Sequence, residues 1–226
     1  MIDMTEAIVA LALFFTIGAQ DLVSFSTDDG GVVFADVYGS GDQAVVLAHG
    51  GRFDRTSWTE QARALADAGY RALAIDFRGR GRSRVGPDSS PDDFYLDVLA
   101  AVRWLRAEGA TTVSVVGASF GGGAAARAAV EARPGEIDGI VLLAHSSIAE
   151  PERMQGRKLF IVTRDDARGG GVPRLPEIRE QYDRAPGPKE LLILDGSAHA
   201  QFVFETHEGE RVMGEILRFL AESGEA

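Results

Sequence analysis

The chain has 226 residues, 45% of them hydrophobic, which suits one domain with a sizeable core. Its 34 acidic and 23 basic residues leave a net charge of −11, a balance that disfavours nucleic acid and anionic membrane surfaces as partners. With no cysteine, disulfides, thiolate zinc sites and cysteine nucleophiles are all excluded.

The chain opens on an uncharged apolar run, "AIVALALFFTIGA" at 7–19. Its length suits the apolar region of a signal peptide and is too short for a membrane span, so stable membrane insertion of the domain is not expected. Residues 1–20 are thus read as a signal peptide or as an N-terminal helix, and residues 21–226 as the domain proper. The first reading places the protein in the periplasm or outside the cell; the second leaves it cytoplasmic. Against export, the leading "MIDMTE" carries two acids and no Lys or Arg.

Beyond residue 20, short β-branched apolar runs alternate with longer helical patterns. "LVSF" (22–25) and "VVFADVY" (32–38), joined by "STDDGG", predict a hairpin. Further strands are expected at 44–48, 71–77, 112–117, 139–144, 158–163 and 190–195, with helices at 57–68, 92–107, 120–133, 175–184 and 208–222. This βαβα order implies a mostly parallel eight-stranded sheet with helices on both faces. Reacting groups in such sheets gather at the carboxyl ends of the strands. The polar punctuation falls there: "HGG" after 48, "DFRGRGRS" after 75, "GASFGG" after 116, "RDD" after 163 and "GSAH" after 195.

"GASFG" (117–121) satisfies G-x-S-x-G between a strand and a helix. Such a turn is sharp, and Gly117 and Gly121 supply room around Ser119. An ordinary N-cap serine would fit the same five residues, so the motif needs partners. A serine hydroxyl is a weak nucleophile unless a histidine takes its proton and a carboxylate orients that histidine. Of the downstream histidines, His199 lies in a small-residue loop before the last helix. His145 ends a strand and reads as structural, and His207 as a surface residue. The acid is Asp166 or Asp165 at the tip of "FIVTRDD".

In order, these motifs resemble the α/β-hydrolase superfamily from about residue 20 onward, most closely its dienelactone-hydrolase-like and small carboxylesterase branches. The resemblance implies a Ser119–Asp166–His199 triad in the family's chain order. It also implies an oxyanion hole from the backbone N–H groups of Gly51 and Phe120, with His49 shaping that loop. Thr163 stands where the family often has a glycine three residues before its acid; counting on from it selects Asp166 over Asp165. In "DFRGRGRS", Asp76, Arg78 and Ser83 are expected to brace a turn. Only "SSIAEPERMQGR" (146–157) separates the sixth and seventh strands, too little for the helical cap many relatives carry, so an open site is expected. Arg52 and Arg55 beside the oxyanion loop raise the idea of an acidic substrate. The implied activity is cofactor-free, metal-free hydrolysis of a small-molecule carboxylic ester. A peptidase, thioesterase, acyltransferase or perhydrolase on the same triad, or a non-catalytic binding protein, are the alternatives. The oligomeric state is not readable from the chain.

Overall fold

The computed structural model describes residues 21–223 except residue 88; the apolar run at 7–19 lies outside the described residues. Eight strands form one sheet: β1 (Asp21–Ser26), β2 (Val32–Tyr38), β3 (Gln43–Ala48), β4 (Arg71–Ile75), β5 (Thr112–Ala118), β6 (Gly139–Leu143), β7 (Arg157–Thr163) and β8 (Lys189–Leu194). Their order across the sheet is β1-β2-β4-β3-β5-β6-β7-β8. The β1–β2 hairpin is antiparallel, as is β2 against β4, and every other pairing is parallel. Register is tight at the centre, where Val46 lies opposite Leu73 on one side and Val115 on the other.

Among the described residues four α-helices connect these strands, α1 (Thr59–Asp67), α2 (Tyr95–Ala107), α3 (Phe120–Glu131) and α4 (Leu175–Arg184), and α5 (Gly209–Ser223) follows the last. Consecutive residues of β3, β5 and β6 are buried regardless of which way they point. That requires cover on both faces and explains why these strands read as continuous apolar runs. α2 and α3 pack against one another and on the central strands, α1 lies against β4, and α5 packs on β6. Among the described residues no helix is long and apolar enough to cross a membrane.

Several boundaries differ from the sequence expectation, and those beside the loops that build the site are the informative ones. β4 stops at Ile75 because Asp76 turns its carboxylate onto the backbone N–H and guanidinium of Arg55. Residues Arg55–Trp58 form a 3-10 turn before α1, capped by the Asp54 carboxylate on the Thr56 N–H at 2.9 Å. α2 starts only at Tyr95. The "DFRGRGRS" turn is held by buried Arg78, whose guanidinium donates to Asp97 at 2.8 and 2.9 Å and to Asp29 at 2.7 Å. Ser83 completes the brace, donating to the Asp76 carbonyl and accepting from the Phe34 N–H.

Candidate active site

The site begins with a backbone reversal. After β5 the chain turns at Ser119, which has φ 51° and ψ −115°, a conformation costly for any residue with a Cβ. The surroundings hold it there. The Ser119 N–H donates to Leu143 at the tip of β6, and the Ser119 carbonyl accepts from Gly123 and Ser146 at 3.0 and 2.9 Å. Two glycines make the reversal sterically feasible. A methyl group on Gly121 would stand 2.4 Å from the carbonyl oxygens of Ala48 and His49, and one on Gly117 would stand 2.6 Å from the Gly121 oxygen. The start of α3 therefore rests directly on the tip of β3.

His199 follows β8 and reaches Ser119 across the sheet edge. Its Nε2 lies 2.7 Å from Ser119 Oγ, and its Nδ1 lies 2.7 Å from Asp166 Oδ2. A carboxylate can only accept, so Nδ1 carries the hydrogen and Nε2 is free to accept from the serine. Asp166 is 1% exposed, whereas His199 is 28% exposed toward the cleft. Asp165, the rival acid, is exposed and contributes only its backbone N–H, to Gly196. Thr163 Oγ1 donates to the Ala198 carbonyl at 3.0 Å, tying the β7 tip to the histidine loop.

The second half of the site is the loop after β3. The Gly50 carbonyl accepts from His49 Nδ1 at 2.8 Å and from the Phe53 N–H at 3.0 Å. In a trans peptide the C=O and N–H point opposite ways, so this anchoring also aims the Gly51 N–H. Burial pushes the His49 pKa below its ordinary value, with the Gly50 carbonyl pulling the other way. A neutral imidazole shaping this loop fits that environment. Phe120 is the first residue of α3, so its N–H has no intrahelical acceptor. Gly51, Phe120, Ser119 and His199 line one cavity of about 410 Å³. Two backbone donors, that of Phe120 at a helix N-terminus and that of Gly51 in the loop after β3, beside a hydroxyl and an imidazole, are suited to stabilising negative charge on a carbonyl oxygen.

Three supporting side chains escaped the sequence reading. Gln201 accepts from the Gly50 N–H at 2.7 Å and donates to Ser57 at 3.0 Å, locking the β3 loop to the histidine loop. Arg80 donates to the Gly51 carbonyl at 2.8 Å. Arg174 places its Nε 3.5 Å from Asp166 Oδ1, the oxygen His199 does not use. A polar residue two positions after His199 was a visible signal for Gln201; nothing local marked the arginines.

The remaining expectations divide. Arg55 is not available to a substrate, because it is paired with Asp36 at 2.9 Å and Asp76 at 2.7 Å; the loop's own bracing consumes its charge. Arg52 does line the cavity. His207 has its side chain 81% exposed, and His145 is buried away from Ser119's hydroxyl. Among the described residues no group of three or more His, Asp or Glu is placed to hold a metal ion. The loops at 51–53 and 167–169 border the cavity, with no helical layer between β6 and β7.

Comparison with known proteins matches residues 43–206 to the family of the alpha/beta hydrolase fold, and the chain belongs to that family. It is similar to the non-heme chloroperoxidase CPO-A1 of Kitasatospora aureofaciens, 35% identical over 118 residues, covering 52% of this chain and 42% of that protein. A bifunctional esterase/perhydrolase of Acinetobacter calcoaceticus is 36% identical over 100 residues, covering 43% and 35%. The chain thus matches less than half the length of these relatives. Among solved structures, an esterase from Pyrococcus furiosus superposes with a TM-score of 0.74 over 91% of both chains at 21% identity, a likeness of fold.

Proposed function

We propose that the protein is a serine hydrolase that cleaves carboxylic esters through an acyl-enzyme. The observation that carries this is the unbroken chain from Ser119 Oγ to His199 to Asp166, with both links at 2.7 Å. His199 Nε2 takes the hydroxyl proton as Ser119 Oγ attacks the ester carbonyl. Asp166 holds the imidazole in the required tautomer and stabilises the imidazolium. The N–H groups of Gly51 and Phe120 receive the oxyanion. As the tetrahedral intermediate collapses, the C–O bond to the alcohol breaks and His199 returns its proton to the leaving oxygen. Water, deprotonated by His199, then attacks the acyl-enzyme; collapse releases the carboxylic acid and restores the serine hydroxyl. Each step uses groups of the chain itself.

The test is turnover of p-nitrophenyl acetate together with labelling by a fluorophosphonate. Wild-type protein should do both and Ser119→Ala neither, with the variant's circular dichroism unchanged. Turnover retained by Ser119→Ala would remove Ser119 from the mechanism.

The similarity to an esterase/perhydrolase favours one second reading. Hydrogen peroxide replaces water in the second half-reaction, its oxygen attacks the acyl carbon, and the product is a peracid. Peracid formation from ethyl acetate and hydrogen peroxide, with ethanol released in the first half-reaction and absent in Ser119→Ala, separates this activity from plain hydrolysis.

A further inference from the structure

A second cavity, of about 480 Å³, shares Phe120 with the one that holds His199. The second cavity runs between the start of α2, the exposed side of α3 and the short loop after β6. Two of its lining residues, Gly123 and Ser146, donate their N–H groups to the main-chain carbonyl of Ser119, so this cavity adjoins the turn that carries the nucleophile.

Catalysis assigns the two spaces different jobs. In the acyl-transfer reaction proposed above, on which this inference rests, the oxyanion faces Gly51 and Phe120. The leaving oxygen must come within reach of His199 Nε2 to collect its proton. The alcohol therefore departs through the cavity lined by His199. The carbonyl carbon has one substituent left, the acyl chain, and it must point away from the histidine. We infer that the cavity beyond Phe120 is the acyl subsite, and that it takes neutral, apolar acyl groups longer than acetyl.

Its surface chemistry supports the class. Its apolar walls are Phe94, Phe120, Ala124 and Ile148, of which Phe120 directly follows the serine, and Phe94 packs edge-on against Phe120 with ring centroids 4.4 Å apart. Phe77 backs the Phe120 ring at 5.2 Å, so this divider between the two spaces is held from behind. The outer rim carries Asp92, Glu131 and Glu150. Its one cation, Arg127, already pairs with Asp93 at 3.4 Å and lies over the Tyr95 ring. A chain ending in a carboxylate would meet like charge there.

The test varies the two halves of the ester separately. One series holds p-nitrophenol constant and lengthens the acyl group from acetate through hexanoate to octanoate; the other holds acetate constant and changes the alcohol. Ala149 is exposed on the cavity rim, so Ala149→Trp fills the space without disturbing the core. The octanoate-to-acetate ratio of kcat/KM should fall about tenfold or more in Ala149→Trp, and by less in Ala149→Leu. Ratios among the acetates of different alcohols should stay within about twofold. In wild type, the adipate half-ester should react about tenfold more slowly than the hexanoate. An unchanged acyl ratio, a change confined to the alcohol series, or preference for the adipate half-ester would overturn the assignment. Failure of wild type to hydrolyse any ester would instead overturn the reaction, and the subsite with it.

Discussion

His145 and His199 follow β6 and β8, at the same carboxyl edge of one sheet, and their surroundings are opposite. His199 has both ring nitrogens engaged at 2.7 Å, one by a hydroxyl and one by a buried carboxylate, and is partly open to the cleft. His145 is sealed between Phe160 and the backbone of Gly122, and neither ring nitrogen has a hydrogen-bond partner among the described residues. Burial pushes its pKa down to about 4, with Glu177 and Gln181 pulling weakly the other way. Residue type and strand-tip position are shared. What makes one imidazole a candidate base is a buried carboxylate bonded to one ring nitrogen, which fixes its tautomer, together with access to solvent and substrate.

Removing the engaged histidine should have the largest effect. His199→Ala is expected to lower kcat/KM for p-nitrophenyl acetate by about 10⁴-fold, while His207→Ala changes it less than twofold. Next comes the partner that distinguishes the two sites. Asp166→Asn should cost about 10³- to 10⁴-fold in kcat, because an amide cannot hold the tautomer that the carboxylate does. Asp165→Asn should be nearly silent, and a large loss there would transfer the acid's role to the neighbouring residue.

The smallest effect is on stability and belongs to His145. Its folded-state pKa of about 4 lies below the ordinary 6.5, so the unfolded chain takes up the proton first. Stability is therefore complete above pH 6.5 and declines as the pH falls toward 4, by up to roughly 3 kcal/mol from this group. Urea midpoints measured across that window should drop in wild type and drop less in His145→Leu. Parallel pH curves for the two proteins would mean that His145 is protonated without opening the fold.

Ser119 and His199 were legible in the sequence because strand, glycine turn and helix leave a local signature, and because histidines are few. The parallel sheet was legible for a similar reason: strands buried on both faces, such as "AVVLA" and "GIVLL", cannot hide their composition. The supporting side chains were not. Arg80 reaches Gly51 only after the loops following β3 and β4 have met, and Arg174 reaches Asp166 only after the loop between β7 and α4 has closed on itself. Arg55 shows the converse error. An arginine beside a reactive loop suggests a substrate anchor, yet Asp36 and Asp76 arrive from β2 and the tip of β4 to neutralise it. Pairings of this kind depend on strand order, which composition does not encode.

The Gln201 bridge also sets when this protein becomes competent during its own synthesis. The Gly50 N–H is secured by a side chain made 151 positions later, and the candidate base, His199, arrives only two residues before it. A nascent chain that has emerged as far as β8 can already hold Ser119 in its elbow, since every strand contacting it has been made. It has neither the imidazole nor the clasp on the β3 loop. Domains commonly fold as their chain appears, but here the candidate site waits for the segment that follows β8. Until then Ser119 has neither of the partners that the proposed mechanism requires of it.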